Sequence, residues 1–96
     1  MEISELQKKI SEAILSRLDK KNVEPSVELS MLHLIEEVGE LSKQIVNEKL
    51  KRKEIDVANI GEEISDCIIM LMFLAKQFNL NIEKCLINKI EELKKK

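Results

Sequence analysis

Two clusters of carboxylates, with 22 residues between them, are the part of this sequence best suited to chemistry. Within each cluster the acids are close enough in sequence to lie near one another on one side of a helix. Oxygen ligands of this kind select hard cations, and carboxylates carried by helices suit a Mg²⁺ ion that also binds waters and substrate phosphates, with Mn²⁺ as a substitute. The clusters consist of Glu36, Glu37 and Glu40, followed by Glu63 and Asp66.

The acids continue patterns that are otherwise apolar. Leu29 and Leu32 precede Glu36 and Glu40 on one helical stripe, and the segment 67–75 after Asp66 is apolar on every side. A helix that is apolar all round is expected to be buried all round. Several carboxylates at the mouth of such a segment would need a cation, because burying one unpaired charge costs several kcal/mol. An ordinary solvated acidic face is the alternative interpretation of the same pattern.

Four helices account for most of the chain and predict an all-α, four-helix bundle-like domain. The predicted spans are about 2–18, about 26–47 with a possible extension to 53, a start within 56–59 leading to about 79, and a last helix capped by Asn81. Pro25 is expected in the first turn of the second helix. The charged stretch 48–57 fits either helix or loop. The short connections predict antiparallel neighbours, which would bring the two acidic clusters together.

Apolar stripes predict which side of each helix faces the core. On the first helix the stripe includes Ile3, Leu6, Ile10, Ala13, Ile14 and Leu18. On the third helix it includes Ile60, Ile64, Ile68, Leu71, Ala75 and Phe78. These residues recur every three or four positions, as expected for the buried face of a helix.

Length and composition bound the class of protein. The 96 residues predict one domain over 1–96, and a net charge of −2 with 2% aromatic residues argues against a nucleic-acid partner. The longest apolar run has nine residues, whereas a membrane span needs roughly 20, so no membrane partner is expected. No signal-peptide pattern is present, and we expect a cytoplasmic protein in which Cys67 and Cys85 are reduced core thiols.

The acidic clusters also resemble a known signature. The sequence Glu36-Glu37-Val38-Gly39-Glu40, followed by Glu63-Ile64-Ser65-Asp66, resembles the EExxE…ExxD pattern of the MazG-like nucleotide pyrophosphohydrolases. The segment 79–85 resembles the entry to that family's last helix, and the similarity extends over about 26–94. One departure is Leu93, which stands where the family often has Asn, four residues after Lys89.

The resemblance implies Mg²⁺-dependent hydrolysis of a nucleoside triphosphate between the α and β phosphates, which yields a monophosphate and pyrophosphate. It implies that Glu37, Glu40, Glu63 and Asp66 are the metal ligands. Glu36 would be the catalytic residue that orients or deprotonates water, although Glu36 and Glu37 could exchange these roles. Two further residues are candidates for contacting substrate phosphates, namely Lys43 and Lys89.

Two other functions compete with this one. The first is a phosphoribosyl-ATP pyrophosphohydrolase, which the chain resembles in length and helix order but not in its flanking residues. The second is a helical interaction module that keeps a vestigial metal site. Surplus apolar surface on the second and third helices predicts a homodimer or homotetramer in each case.

Overall fold

The chain is helical throughout the part that the structure describes. This structure is a computed structural model, and it describes the backbone of residues 1–51 and 56–95 and the side chains of residues 1–46 and 56–95. It contains α1 (Ile3–Lys20), α2 (Val27–Lys51), α3 (Val57–Gln77) and α4 (Ile82–Lys94), and no strand occurs in the described ranges. The all-α prediction is confirmed. Residues 52–55 of the charged stretch 48–57 lie outside the described residues.

Polar side chains begin three of the helices. Ser26 Oγ accepts a hydrogen bond from the Leu29 amide at 3.1 Å, and Asn81 Oδ1 accepts one from the Lys84 amide at 3.2 Å. Asp56 Oδ1 accepts from the amide three residues later at 3.2 Å, so that it begins α3. These bonds satisfy amides that have no partner within the first helical turn. The prediction for Asn81 is confirmed, whereas the expected placement of Pro25 is wrong because it precedes the cap.

Two asparagines in left-handed conformation end helices. Asn22 has φ 58° and Asn79 has φ 57°. After α1, the Val23 amide donates to the Leu18 carbonyl at 2.9 Å, and after α3 the Leu80 amide donates to the Ala75 carbonyl at 2.9 Å. This is the Schellman arrangement, which usually uses glycine and sometimes asparagine. It explains how a chain with two glycines can still stop its helices sharply.

The described chain divides into two compact units. One contains Met1–Pro25 and Met72–Lys96, and the other contains Ser26–Leu71. The helix α3 contributes its first part to the second unit and its last turns to the first. The single domain predicted for 1–96 stays a prediction. Within the described residues, no helix combines the length and the apolar character that crossing a bilayer requires.

In the first unit, α1 turns a partly polar face inward. Gln7 is 5% exposed and Ser11 is 4% exposed, whereas the predicted core residues Ile3 and Leu6 are exposed. Gln7 Nε2 donates to the carbonyls of Met72 and Leu80 at 3.2 and 3.0 Å, and its Oε1 accepts from Ile82 N at 3.3 Å. The predicted stripe is half-buried at Ile10, Ile14 and Leu18, and it is wrong at its start, where backbone groups at the α3–α4 turn need polar partners.

In the second unit, the face that the first part of α3 turns inward differs from its predicted stripe. Cys67 is buried on α3, while Ile64, Ile68 and Leu71 are exposed, as Phe78 is in the first unit. The prediction that 67–75 is buried on every side is therefore wrong for the single chain. A chain of this size has too few elements to cover a helix all round. Cys85 is also exposed, so only Cys67 is a core thiol.

Candidate active site

Three carboxylates converge in the second unit. Glu37 on α2 and Glu63 and Asp66 on α3 each offer an oxygen, and these oxygens all lie within 4.8 Å of one another. Glu37 and Glu63 are half-buried, and Asp66 is exposed. The cluster is thus open to solvent on one side and closed by the helices on the other.

Helical spacing explains why Glu37 and Glu63 lie on the inner sides of their helices. Glu37 lies three residues after Leu34 and four before Leu41, and all three are half-buried along one side of α2. On α3, Glu63 lies four residues before the buried Cys67. Residues at these spacings share a helical face. Glu37 and Glu63 therefore occupy positions that would suit apolar core residues.

The electrostatics of the cluster disfavour the ionised form of Glu37. Burial raises the pKa of Glu37 above its ordinary value, and the charges of Asp66 and Glu63 raise it further. A hydrogen bond with Asp66 and the charge of Glu40 act in the same direction. Both causes are expected when like charges share a partly desolvated place. A cation at the cluster would reverse this penalty.

One carboxylate oxygen of the cluster lacks a hydrogen-bond partner in the described part of the chain. Glu63 Oε2 is buried, and no hydrogen-bond donor reaches it among the described residues. Buried polar atoms in folded proteins are nearly always paired, so an orphaned one calls for an explanation such as an ion or a water. Three carboxylate groups, one of which has a buried and unpaired oxygen, fit a hard divalent cation such as Mg²⁺. The donor set therefore fits the group that the sequence pattern predicted.

The other predicted site residues lie outside this group of three. Glu36, Glu40 and Lys43 are exposed on α2, and of these Glu40 is close enough to influence the pKa of Glu37. Lys89 belongs to the first unit, where its Nζ forms a 3.0 Å ion pair with Glu92. Because both side chains of that pair are exposed, the pair stabilises the fold by only roughly 0–1 kcal/mol. Lys89 can therefore leave Glu92 at little cost to bind another group.

Cys67, which the sequence predicts to be an ordinary core thiol, lies close to the cluster. Burial raises the pKa of its thiol, and the charges of Glu37, Glu63 and Asp66 raise it further. The thiol thus stays protonated and forms part of the apolar floor beside the acids. Its position directly after Asp66, at helical spacing from Glu63, was the available signal.

The fold and the site together define a class: an all-α protein whose candidate hard-cation centre is built from carboxylates of two helices. The family model of the MazG nucleotide pyrophosphohydrolase domain matches residues 25–96, a segment that contains both acidic clusters. The chain belongs to that family. No curated protein and no solved structure matches the chain. Family membership assigns it to the nucleotide pyrophosphohydrolases as a class.

Proposed function

We propose that this protein hydrolyses a nucleoside triphosphate, either NTP or dNTP, to the monophosphate and pyrophosphate in a Mg²⁺-dependent reaction. The supporting observation is the convergence of Glu37, Glu63 and Asp66, with oxygens within 4.8 Å of one another and one of them buried without a partner. Removal of modified or damaged nucleotides is the physiological role we favour. Mn²⁺ should replace Mg²⁺, because both prefer oxygen ligands.

Each site residue has a proposed role. Glu37, Glu63 and Asp66 hold the metal, and Glu40, one turn from Glu36 on α2, completes the ligand set. The bound ion supplies neutralisation of the charge that develops on the phosphate oxygens during in-line displacement. The half-buried positions of Glu37 and Glu63 keep their carboxylates in place before substrate arrives.

Glu36 is the proposed catalytic residue. It is exposed and follows Ile35 directly on α2, so its carboxylate is free of the packing that holds Glu37. Such a group can accept the proton of an attacking water or orient it, provided that water lies within hydrogen-bond reach. Lys43, one turn beyond Glu40, and Lys89 would contact the phosphates through their charged ammonium groups.

The test is pyrophosphate release from a panel of standard and modified NTPs and dNTPs, with and without Mg²⁺. We expect release that needs the metal and falls at least about 100-fold in Glu37→Gln and Asp66→Asn, as for loss of charge stabilisation in a transition state. Glu62→Gln is the matched control, because Glu62 is an exposed acid next to Glu63 but outside the group of three. Metal-dependent release that survives in both site variants would refute the assignment of ligands.

Metal binding can be tested apart from catalysis. Calorimetric titration of the apo protein with MgCl₂ or MnCl₂ should show binding that Asp66→Asn abolishes and Glu62→Gln preserves. Equal binding by all three proteins would show that the three carboxylates are not the ligands.

Two alternatives give different results in the same experiments. A phosphoribosyl-ATP pyrophosphohydrolase would be identified by including phosphoribosyl-ATP in the panel and finding it preferred. An interaction module would release no pyrophosphate from any nucleotide. Its acids would stabilise the fold as salt bridges, so that Glu37→Ala and Asp66→Ala would lower stability. Acids held together for a metal repel each other in its absence, and these variants would then raise the stability of the apo protein.

We also propose that the working protein is a homodimer or homotetramer, with residues 1–96 of each chain forming one domain. The supporting observation is the exposed apolar surface on the helices that carry the site. On α2 it includes Leu32 and Ile35, about 60% exposed, and on α3 it includes Ile68. A second copy that packed against these helices would cover such side chains.

A further inference from the structure

The acidic side of α2, formed by Glu36, Glu37 and Glu40, has a different kind of side chain at each end. His33 lies one turn before Glu36 and Glu37 on the same side of the helix. Lys43 lies one turn beyond Glu40. At 1.5 Å per residue, about 15 Å of helix separates His33 from Lys43. Both side chains are exposed, and both belong to the second unit, which contains the carboxylate cluster.

The polar groups at both ends are available to a ligand. His33 and Lys43 form no hydrogen bond and no ion pair with any residue in the described part of the chain. Lys43 is unpaired even though Glu40 is one turn away, a spacing at which helical ion pairs often form. The ammonium group of Lys43 can therefore donate hydrogen bonds to phosphate oxygens, and both faces of the His33 ring can receive a partner.

The end of α2 that carries His33 is also the apolar end of this side. Leu29 is half-buried and Leu32 is 59% exposed, and both precede the acids along the helix. The imidazole of His33 is the one aromatic ring in the segment 26–71, because that segment contains no Phe, Tyr or Trp. Nucleobases stack on aromatic side chains, and histidine is one of those that proteins use. This end therefore suits a base, whereas the charged end at Lys43 suits phosphate.

The proposed chemistry gives the nucleotide the same direction. In an in-line displacement, the attacking water and the leaving group lie on opposite sides of the phosphorus. Glu36, the residue proposed to hold the water, precedes Glu37 and Glu40 along α2, and Lys43 follows them. The pyrophosphate then leaves towards Lys43, and the nucleoside lies towards His33.

We propose that His33 determines which base this protein accepts, an inference that rests on the proposed hydrolase function. The nucleotide lies along α2 with its pyrophosphate end at Lys43 and its base stacked on the imidazole of His33. The inference extends the site from the phosphates to the base. Binding of the two reaction products tests it apart from hydrolysis, because each product keeps one end of the substrate.

The base end is tested by calorimetric titration of the full-length protein in MgCl₂ with AMP, GMP, CMP, UMP and dTMP. Ribose 5-phosphate is the matched ligand without a base. At least one monophosphate should bind at least about tenfold more tightly than ribose 5-phosphate, as expected for stacking of one base. His33→Ala should reduce that ratio below about threefold, and His33→Phe, which keeps an aromatic ring, should retain most of it. Met31→Ala is the control, because Met31 is exposed on the opposite side of α2.

The phosphate end is tested with pyrophosphate under the same conditions. Lys43→Gln should weaken pyrophosphate binding at least about tenfold and change monophosphate binding by less than about threefold. His33→Ala should leave pyrophosphate binding unchanged. Lys20→Gln is the control, since it makes the same change of charge at an exposed lysine of the first unit.

The role of His33 would be refuted if no monophosphate bound more tightly than ribose 5-phosphate, or if His33→Ala left their ratio intact. The direction of the nucleotide would be refuted if His33→Ala weakened pyrophosphate binding and Lys43→Gln weakened monophosphate binding. Pyrophosphate release from triphosphates without a base effect at His33 would overturn this inference and leave the hydrolase function standing. A base effect at His33 without release from any triphosphate would overturn the hydrolase function instead.

Discussion

At the scale of single residues, Glu37 is an ionisable side chain at a position that would suit an apolar one. Its position on the inner side of α2 would suit a leucine, and burial together with neighbouring negative charges raises its pKa. A group in this state destabilises the apo protein when ionised and becomes favourable once a cation binds. If Glu37 binds the metal as we propose, the same carboxyl group connects folding, pH and metal binding.

The raised pKa of Glu37 predicts the pH dependence of the metal-free protein. The folded state holds this proton more tightly than the unfolded chain does. The contribution to stability is thus complete below the ordinary pKa of 4.5 and is lost as the pH rises through the raised value. Urea denaturation at a series of pH values should show this loss, and Glu37→Gln should remove it. Added Mg²⁺ should counteract the loss, since it binds the deprotonated carboxylates.

Glu28→Gln is the control for that experiment, because Glu28 is an exposed acid in the first turn of the same helix. It should keep the pH dependence of the parent protein. A parent whose stability does not fall over this pH window would contradict the electrostatic account of the cluster.

Gln7 predicts a second effect at the residue scale. Gln7→Leu keeps the volume but leaves two carbonyls and one amide without their partner, so unfolding free energy should fall by about 2–3 kcal/mol. Lys9→Leu, on the exposed side of α1, should change it by less than about 0.5 kcal/mol. Chemical denaturation measures both. Equal small effects would mean that the Gln7 hydrogen bonds do not hold the turn.

At the scale of elements, the ends of the helices follow from local chemistry and their faces do not. Ser26, Asp56 and Asn81 bond amides of the first turn, an interaction over three residues. Predicted helix starts consequently fall within about two residues of the observed ones. The buried face depends on what packs against the helix, and this differs from the apolar stripe on α1 and α3.

The left-handed end of α3 predicts a residue-specific effect on stability. Asn79→Ala should lower the free energy of unfolding by about 1 kcal/mol, because a Cβ without a polar group disfavours φ 57°. Asn79→Gly should change it by only a few tenths of a kcal/mol. Lys21→Ala is the control, since Lys21 ends α1 with φ −90°. If alanine and glycine at position 79 behave alike in thermal denaturation, the backbone conformation is not the cause.

At the scale of the whole molecule, the described part of the chain exposes more large apolar residues than it buries. The buried hydrophobic residues in the described part are Cys67, Met72, Phe73 and Ala75. By contrast, Ile64, Ile68 and Leu71 follow one another at spacings of four and three on the outer side of α3 and are about half exposed. Apolar residues at this spacing form the seam between helices in coiled coils. A small domain gains stability when a second copy covers such a surface.

A charge in this seam should therefore separate the subunits. We expect the wild-type protein to sediment as a dimer or tetramer. Ile68→Lys should convert a tetramer to a dimer or monomer, or a dimer to a monomer. Ser16→Lys adds the same charge on the exposed side of α1 and should leave the mass unchanged. A monomeric wild type, or an Ile68→Lys protein of unchanged mass, would contradict the assembly that we propose.

The helical class, the four helices, the Asn81 cap and the acidic clusters could be derived from the sequence, because they rest on interactions within about one helical turn. Those clusters and their resemblance to the MazG pattern also indicated the family. The convergence of Glu37, Glu63 and Asp66 without Glu40 came from packing between helices. So did the burial of Gln7 and Ser11 in place of Ile3 and Leu6. Contacts between residues distant in sequence depend on which backbone groups and side chains meet across helices. The spacing of apolar residues along one helix does not specify those partners.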